Sequence, residues 1–110
     1  MTRHVVAAID QGTTGTRCMV FDHQGLDIGR SYKEHEQILP RPGWIEHDPL
    51  EIWHAVQETV HGALTQAHVD AAELVALGIT NQRETTVVWN RHTGRPYHNA
   101  VVWQCMRTQE

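Results

Sequence analysis

Apolar positions in this chain fall into short runs separated by polar turns, with one longer stretch at helical spacing. Val5 to Ile9 is apolar throughout and stops at a turn-rich segment, which predicts a strand buried on both faces. Asp10 to Thr16 reads as a polar turn holding Gly12 and Gly15. A second strand is predicted over Arg17 to Asp22, with Gln24-Gly25 as the turn after it. A longer, more polar third strand is predicted from Leu26 to Ile38, completing a three-stranded meander. Pro40-Arg41-Pro42-Gly43-Trp44 is a loop, because two prolines and a glycine interrupt any regular element. Asp48 can cap a helix, Pro49 suits its first position and Glu51 its third. Trp53, Val56, Val60, Leu64 and Ala67 then recur on one face, predicting a helix over 49–67. Leu74 to Ile79, Thr86 to Trp89 (turning at Thr93-Gly94) and Asn99 to Trp103 are predicted strands. The order is β-β-β-α-β-β-β, an α/β chain. Gln104 to Glu110 are helix formers with no cap, glycine or proline after them, which reads as a nascent helix cut short by truncation.

A length of 110 residues suits one small domain or part of a larger one, and a domain this small is marginally stable. Exposed strand edges and an unfinished core are therefore expected. The net charge is -4 and no Lys/Arg run exists, so nothing marks a nucleic-acid surface. No apolar stretch approaches the ~20 residues of a membrane span. Val5 to Ile9 is too short for the apolar part of a signal peptide, leaving the cytoplasm as the default compartment. Cys18 and Cys105 then read as buried, reduced thiols. His47, His54, His61 and His68 recur every seven residues. That step separates helical neighbours by ~10 Å, too far to share a metal, so they read as surface or half-buried helix residues.

Three places can carry chemistry. Asp10 to Thr16 follows a strand, at the end where α/β sheets collect ligands. Its glycines let backbone N–H groups approach an anion, its threonines add donors, and Asp10 is an oxygen ligand suited to Mg²⁺. No G-x-x-x-x-G-K-[ST] motif is present, and an ordinary hairpin connection fits the same residues equally well. Asn81 to Thr85 is polar without interruption, and Arg83 with Glu84 supplies donors and a carboxylate for the hydroxyls of a small polyol. On a regular strand the two would point to opposite faces, so both meet one ligand only if the backbone turns there. The plainer alternative is a solvated loop with a surface ion pair. Trp103 offers an indole face to a carbon skeleton, or simply ends a core strand. Trp44, Trp53 and Trp89 read as packing residues.

The stretch from Ala8 to Arg17, AIDQGTTGTR, resembles the phosphate-binding opening of carbohydrate kinases of the glycerol, xylulose and gluconate type. Pro42 to Pro49 (PGWIEHDP), Gly78 to Thr86 (GITNQRETT) and Asn99 to Gln104 (NAVVWQ) sharpen the resemblance toward the glycerol kinase branch, over essentially the whole chain. The resemblance implies an actin-like ATPase fold of two ribonuclease-H-like domains. Residues 1–110 would be the N-terminal part of the first domain, with its remainder and the second domain absent. It implies transfer of the γ-phosphoryl of MgATP to a terminal hydroxyl of glycerol. Asp10 would help hold Mg²⁺. Gln11, Gly12, Thr13, Thr14, Gly15 and Arg17 would line the phosphates, Arg83 and Glu84 would hold glycerol hydroxyls, and Trp103 would wall the pocket. Gly15-Thr16 stands where some relatives carry two serines, a change that backbone donors survive. The family's general-base aspartate is expected downstream, so the isolated 110 residues are expected to be inert. A kinase for another polyol or ketose such as xylulose, and a truncated non-enzymatic remnant, are the alternatives. An actin- or Hsp70-like interaction module would account for the first turn but not for Asn81 to Thr85. The sequence leaves homo-oligomerisation of a longer protein open.

Overall fold

The computed structural model describes residues 3–108. The chain forms β1 (Val5–Gln11), β2 (Gly15–Phe21), β3 (Asp27–Glu34), β4 (Glu46–His47), α1 (Pro49–Ala67), β5 (Leu74–Thr80) and β6 (Ala100–Val101). One sheet has the order β3-β2-β1-β5; β1 and β2, and β2 and β3, are antiparallel, while β5 joins β1 in parallel. β4 and β6 form a separate antiparallel pair. The expected meander is present. β2 begins at Gly15, two residues before the expected start, because the turn needs only Gly12 to Thr14, with the Gly12 N–H donating to the Gly15 carbonyl at 3.0 Å. β3 is shorter than expected: it ends at Glu34, and Ile38 makes only an isolated bridge to Glu46.

α1 begins as its sequence predicts. The Asp48 side chain accepts from the Leu50 N–H at 2.9 Å and Pro49 occupies the first turn. Glu51 does not close a capping box; its carboxylate instead accepts from the Glu36 N–H at 2.6 Å, pinning the chain that follows β3. The innermost helical stripe is Ala55, Thr59, Ala63 and Ala67, with Val56, Val60 and Leu64 beside it. These small residues let α1 lie close across β2 and β3. Trp53, expected on the packed face, is 56% exposed, and Trp89 57%; neither is a core residue. Gly29 sets the closeness of this approach. A Cβ there would stand 2.5 Å from the Ala63 carbonyl oxygen and 2.8 Å from the Ala67 amide nitrogen. Backbone cannot swing away as a side chain can. Gly29→Ala is therefore expected to lower stability by about 1–3 kcal/mol. The check is the thermal midpoint of the whole protein, and an unchanged midpoint would mean that the helix seat tolerates lifting.

The core lies between α1 and one face of the sheet: Val5, Ala7, Ile9, Cys18 and Val20 point inward. β1 is thus buried on one face, not two; Val6 is 38% exposed and Asp10 lies on the open face with it. β5 is exposed along nearly its whole length, with Val75, Leu77 and Ile79 more than half accessible. Its apolar face and α1 frame a trough of about 490 Å³ lined by Ile9, Trp53, Val56, Val60, Leu77 and Ile79. The strand expected over Thr86 to Trp89 is not formed; Thr86 bridges Val101 and Trp89 bridges Pro96, with a turn between whose Gly94 has φ +74°. The strand expected over Asn99 to Trp103 shrinks to β6. The nascent helix expected over Gln104 to Glu110 is absent through residue 108, which instead forms turns; Gln109 and Glu110 lie outside the described residues. Among the described residues no helix is long and apolar enough to cross a membrane.

Candidate active site

Parallel pairing sets Asp10 beside Thr80, so β1 and β5 release their following loops at the same edge of the sheet. The turn at Gly12 to Thr14 and the segment Asn81 to Thr85 are therefore neighbours by topology, outside the carboxyl ends of adjacent parallel strands. The register continues from Asp10 to Arg17 on β2 and from Arg17 to Tyr32 on β3. Alternation turns Ile9, Thr16 and Cys18 into the core, so Asp10, Arg17 and Tyr32 form a row on the face opposite α1. A concavity of about 170 Å³ opens there, lined by Asp10, Gly12, Thr13, Thr14, Gly15, Arg17 and Tyr32. The Arg17 guanidinium stands 5.1 Å from the Tyr32 ring centre, a cation–π distance that steadies it over the concavity.

The turn is braced from behind. Gln37 Nε2 donates to the Thr13 carbonyl at 3.0 Å and the His35 N–H to the Thr14 carbonyl at 3.3 Å. In trans peptides the N–H opposes the C=O, which leaves the amides of Thr14 and Gly15 on the other side. Gln11 does not line the concavity: it accepts from Thr16 Oγ1 at 2.7 Å and donates to the Gly12 carbonyl at 3.2 Å, stiffening the hairpin. Gly15 has a packing reason beyond any anion, since a Cβ would meet the Lys33 carbonyl and the Tyr32 hydroxyl at 2.6 Å.

Arg83 and Glu84 occupy a turn, and Glu84 adopts φ +50°, a left-handed conformation that is uncommon for a residue with a side chain. The backbone bend that one shared ligand requires is thus present. The two side chains are exposed and make no ion pair with each other among the described residues. Thr86 then exchanges N–H···O bonds of 3.1 and 3.2 Å with Val101, tying this turn to β6. Trp103 follows the buried Val102 and is 55% exposed, so it is a surface ring at the end of β6, not a core residue. Behind β6, Glu46 is buried against Arg107 Nη2 at 2.7 Å and Asn99 Nδ2 at 3.1 Å, and Arg107 stacks 4.0 Å over Trp44. The Arg107 and Asn99 hydrogen bonds hold the Glu46 carboxyl below its usual range. Cys18 is buried and Cys105 only half-buried; both are free.

His54, His61 and His68 are exposed, but His47 is fully buried and precedes the helix, contrary to its expected place among surface or half-buried helix residues. Its Nε2 lies 2.7 Å from Gln37 Oε1, and its Nδ1 lies 3.1 Å from Gln82 Nε2 and 3.2 Å from His35 Nε2. Burial pushes the pKa of both histidines down. Sequence reasoning missed Tyr32 and His47 as parts of the candidate site, and named Gln82 only within the polar segment Asn81 to Thr85. Tyr32 was readable in principle, as the cross-strand partner of Arg17; the histidine cluster depends on a loop path that no periodicity reports.

The arrangement of a glycine-rich hairpin and a polar turn at the open end of a mixed sheet defines a class. The chain belongs to the FGGY family of carbohydrate kinases: the family's N-terminal domain matches residues 5–110. Its sheet and helix are those of the actin-like ATPase fold and fit part of that fold's first domain. Within the family the chain is 64% identical over 103 residues to a glycerol kinase of Mycolicibacterium vanbaalenii, covering 94% of this chain and 20% of that protein. The crystal structure of Plasmodium falciparum glycerol kinase with ADP superposes with a TM-score of 0.84 at 34% identity, over 96% of this chain and 21% of that one. A gluconate kinase from Lactobacillus acidophilus gives 0.83 at 25% identity, over 94% and 20% of the two chains. The chain thus spans about a fifth of the length of the relatives it matches.

Proposed function

We propose that the protein carrying this chain is an ATP-dependent glycerol kinase that moves the γ-phosphoryl of ATP to a terminal hydroxyl, giving sn-glycerol 3-phosphate and ADP. The observation that carries the reading is the shared sheet edge: an anion-sized concavity after β1 and the bent Arg83–Glu84 turn after the neighbouring parallel β5. Phosphoryl transfer depends on bringing phosphate and hydroxyl together in a fixed electrostatic frame, and this edge supplies one element for each. Thr13, Thr14 and the peptides through Gly15 face the phosphates, with Arg17 as the cation. Gln11 and Gly12 shape the turn. Glu84 accepts protons from the polyol hydroxyls, Arg83 donates to their oxygens, and Trp103 covers the carbon side.

Asp10 fits a magnesium ion. Its side chain lines the concavity, and Mg²⁺ is commonly held by one or two carboxylates together with substrate phosphates, so a single carboxylate at this place is adequate. The ion would neutralise phosphate charge. The 110 residues alone are proposed to be inert, since Arg83, Glu84 and Trp103 stand exposed to water that such a transfer must exclude. Glycerol-dependent ATP turnover by this chain alone would contradict that. We place the protein in the cytoplasm, where ATP is available.

The deciding experiment compares turnover of glycerol and xylulose by the whole protein. At least tenfold higher kcat/KM on glycerol is expected. A preference for xylulose would move the assignment to a ketose kinase, and no turnover on either would favour a non-enzymatic remnant.

A further inference from the structure

The hydrogen bonds around His47 fix the tautomer of its ring. Gln37 Nε2 donates to the Thr13 carbonyl, so the atom Gln37 presents to His47 is its carbonyl oxygen. His47 Nε2, 2.7 Å from that oxygen, must carry a proton. In a neutral ring Nδ1 is then an acceptor, and its single lone pair takes the Gln82 Nε2 donor at 3.1 Å, with His35 Nε2 3.2 Å away. The Nδ1 of His35 and the Oε1 of Gln82 have no hydrogen-bonded partner. One directed chain runs from the phosphate turn to the polyol turn: Thr13 carbonyl, Gln37, His47, Gln82. A second strand of it joins the Thr14 carbonyl to His35 and so to the same ring. Gln82 is the residue immediately before Arg83 and Glu84.

We propose that His47, as a neutral imidazole, is the positioning residue that holds the Arg83–Glu84 turn in register with the phosphate turn, with Gln82 as its link. The inference rests on the assignment of those turns under the proposed function. The groups facing His47 act in opposite directions. Burial, first, and the neighbouring His35 disfavour the charged ring, and the Gln82 side chain and the Glu51 carboxylate at the start of α1 favour it. For His35 burial again leads, opposed by Glu51 and by the Thr13 carbonyl, which lies near the ring without proper hydrogen-bond geometry. Both rings thus titrate below the ordinary histidine value of about 6.5.

The test uses the whole protein and the near-isosteric Gln82→Met, which removes both polar atoms of a half-buried side chain and spares the buried histidine. In the variant the KM for glycerol is expected to rise about tenfold, the scale of one lost hydrogen bond, with kcat and the KM for MgATP within twofold. A drop in kcat at unchanged KM, as from a smaller folded fraction, would overturn the proposal in favour of a purely structural role. If the wild type does not phosphorylate glycerol, the functional reading fails separately, and imidazole nitrogen spectra decide the inference alone. His47 should show a protonated Nε2 and a bare Nδ1 at neutral pH, with the Nδ1 resonance moving in Gln82→Met. A protonated Nδ1, or a resonance indifferent to the substitution, would refute it.

Discussion

Glu84→Ala in the whole protein is expected to lower kcat/KM for glycerol by about 10²-fold while leaving the KM for MgATP within twofold. Glu84 is the only carboxylate on the bent turn, and its side chain is exposed and free of ion pairs among the described residues. The backbone holds it at φ +50°, a conformation tolerated where surrounding structure enforces it. The enforcement is visible on both sides, in the Gln82–His47 bond before the turn and the Thr86–Val101 bridge after it. A carboxylate can accept from two polyol hydroxyls, and hydrogen bonds to a charged group contribute about 1.5–3 kcal/mol each. Losing about 3 kcal/mol corresponds to about 10²-fold. Glu84→Gly separates the carboxylate from the strain. It should cost the same activity yet raise stability by about 0.5–1 kcal/mol, since glycine adopts positive φ freely. Steady-state kinetics and thermal midpoints of the two variants check both halves. Glycerol kcat/KM within threefold of wild type would mean that Glu84 is a strained surface residue and nothing more.

The parts of this fold legible in the sequence are those made by neighbours along the chain. Val5 to Phe21 reads as strand, turn, strand because apolar runs flank Gly12 and Thr13, and the hairpin forms there. Asp48-Pro49 marks the start of α1 to the residue, because capping is a local hydrogen bond. What resists reading is set by distant partners. β4 and β6 are two residues each and exist only because they meet each other. The segment from Thr86 to Trp89 has the composition of a strand but finds single bridges in place of a ladder. Burial of α1 is decided by how closely Gly29 lets it approach, so Ala63 is sealed while Trp53, at the same helical period as Val60, is exposed. The residues of the Asp10 to Thr16 turn were legible as types, and Glu84's bend as a requirement. Tyr32 and His47 join the candidate site only through register and loop path.

Asp10→Asn is expected to be the more damaging substitution, lowering kcat by about 10³-fold with the KM for glycerol changed less than threefold. Asparagine keeps the size and a carbonyl oxygen but removes the charge. Asp10 is exposed at the end of β1, paired through its backbone to Arg17 and Thr80, and these ladder bonds do not involve the side chain. The thermal midpoint should therefore stay within about 2 °C, consistent with the small effect of surface substitutions. A metal ion that neutralises charge on the transferring phosphate contributes several kcal/mol to the transition state, and about 4 kcal/mol corresponds to about 10³-fold. On the proposed assignment the neighbouring loop holds glycerol, so its binding should be nearly untouched. The discriminating readout is the Mg²⁺ concentration giving half-maximal rate, which should rise at least tenfold in the variant. ADP binding measured without Mg²⁺ should be unchanged or slightly tighter, because the negative charge facing the phosphates is gone. A variant that keeps the wild-type Mg²⁺ requirement but loses glycerol affinity would place Asp10 on the polyol side of the crevice and reverse the assignment of the two loops.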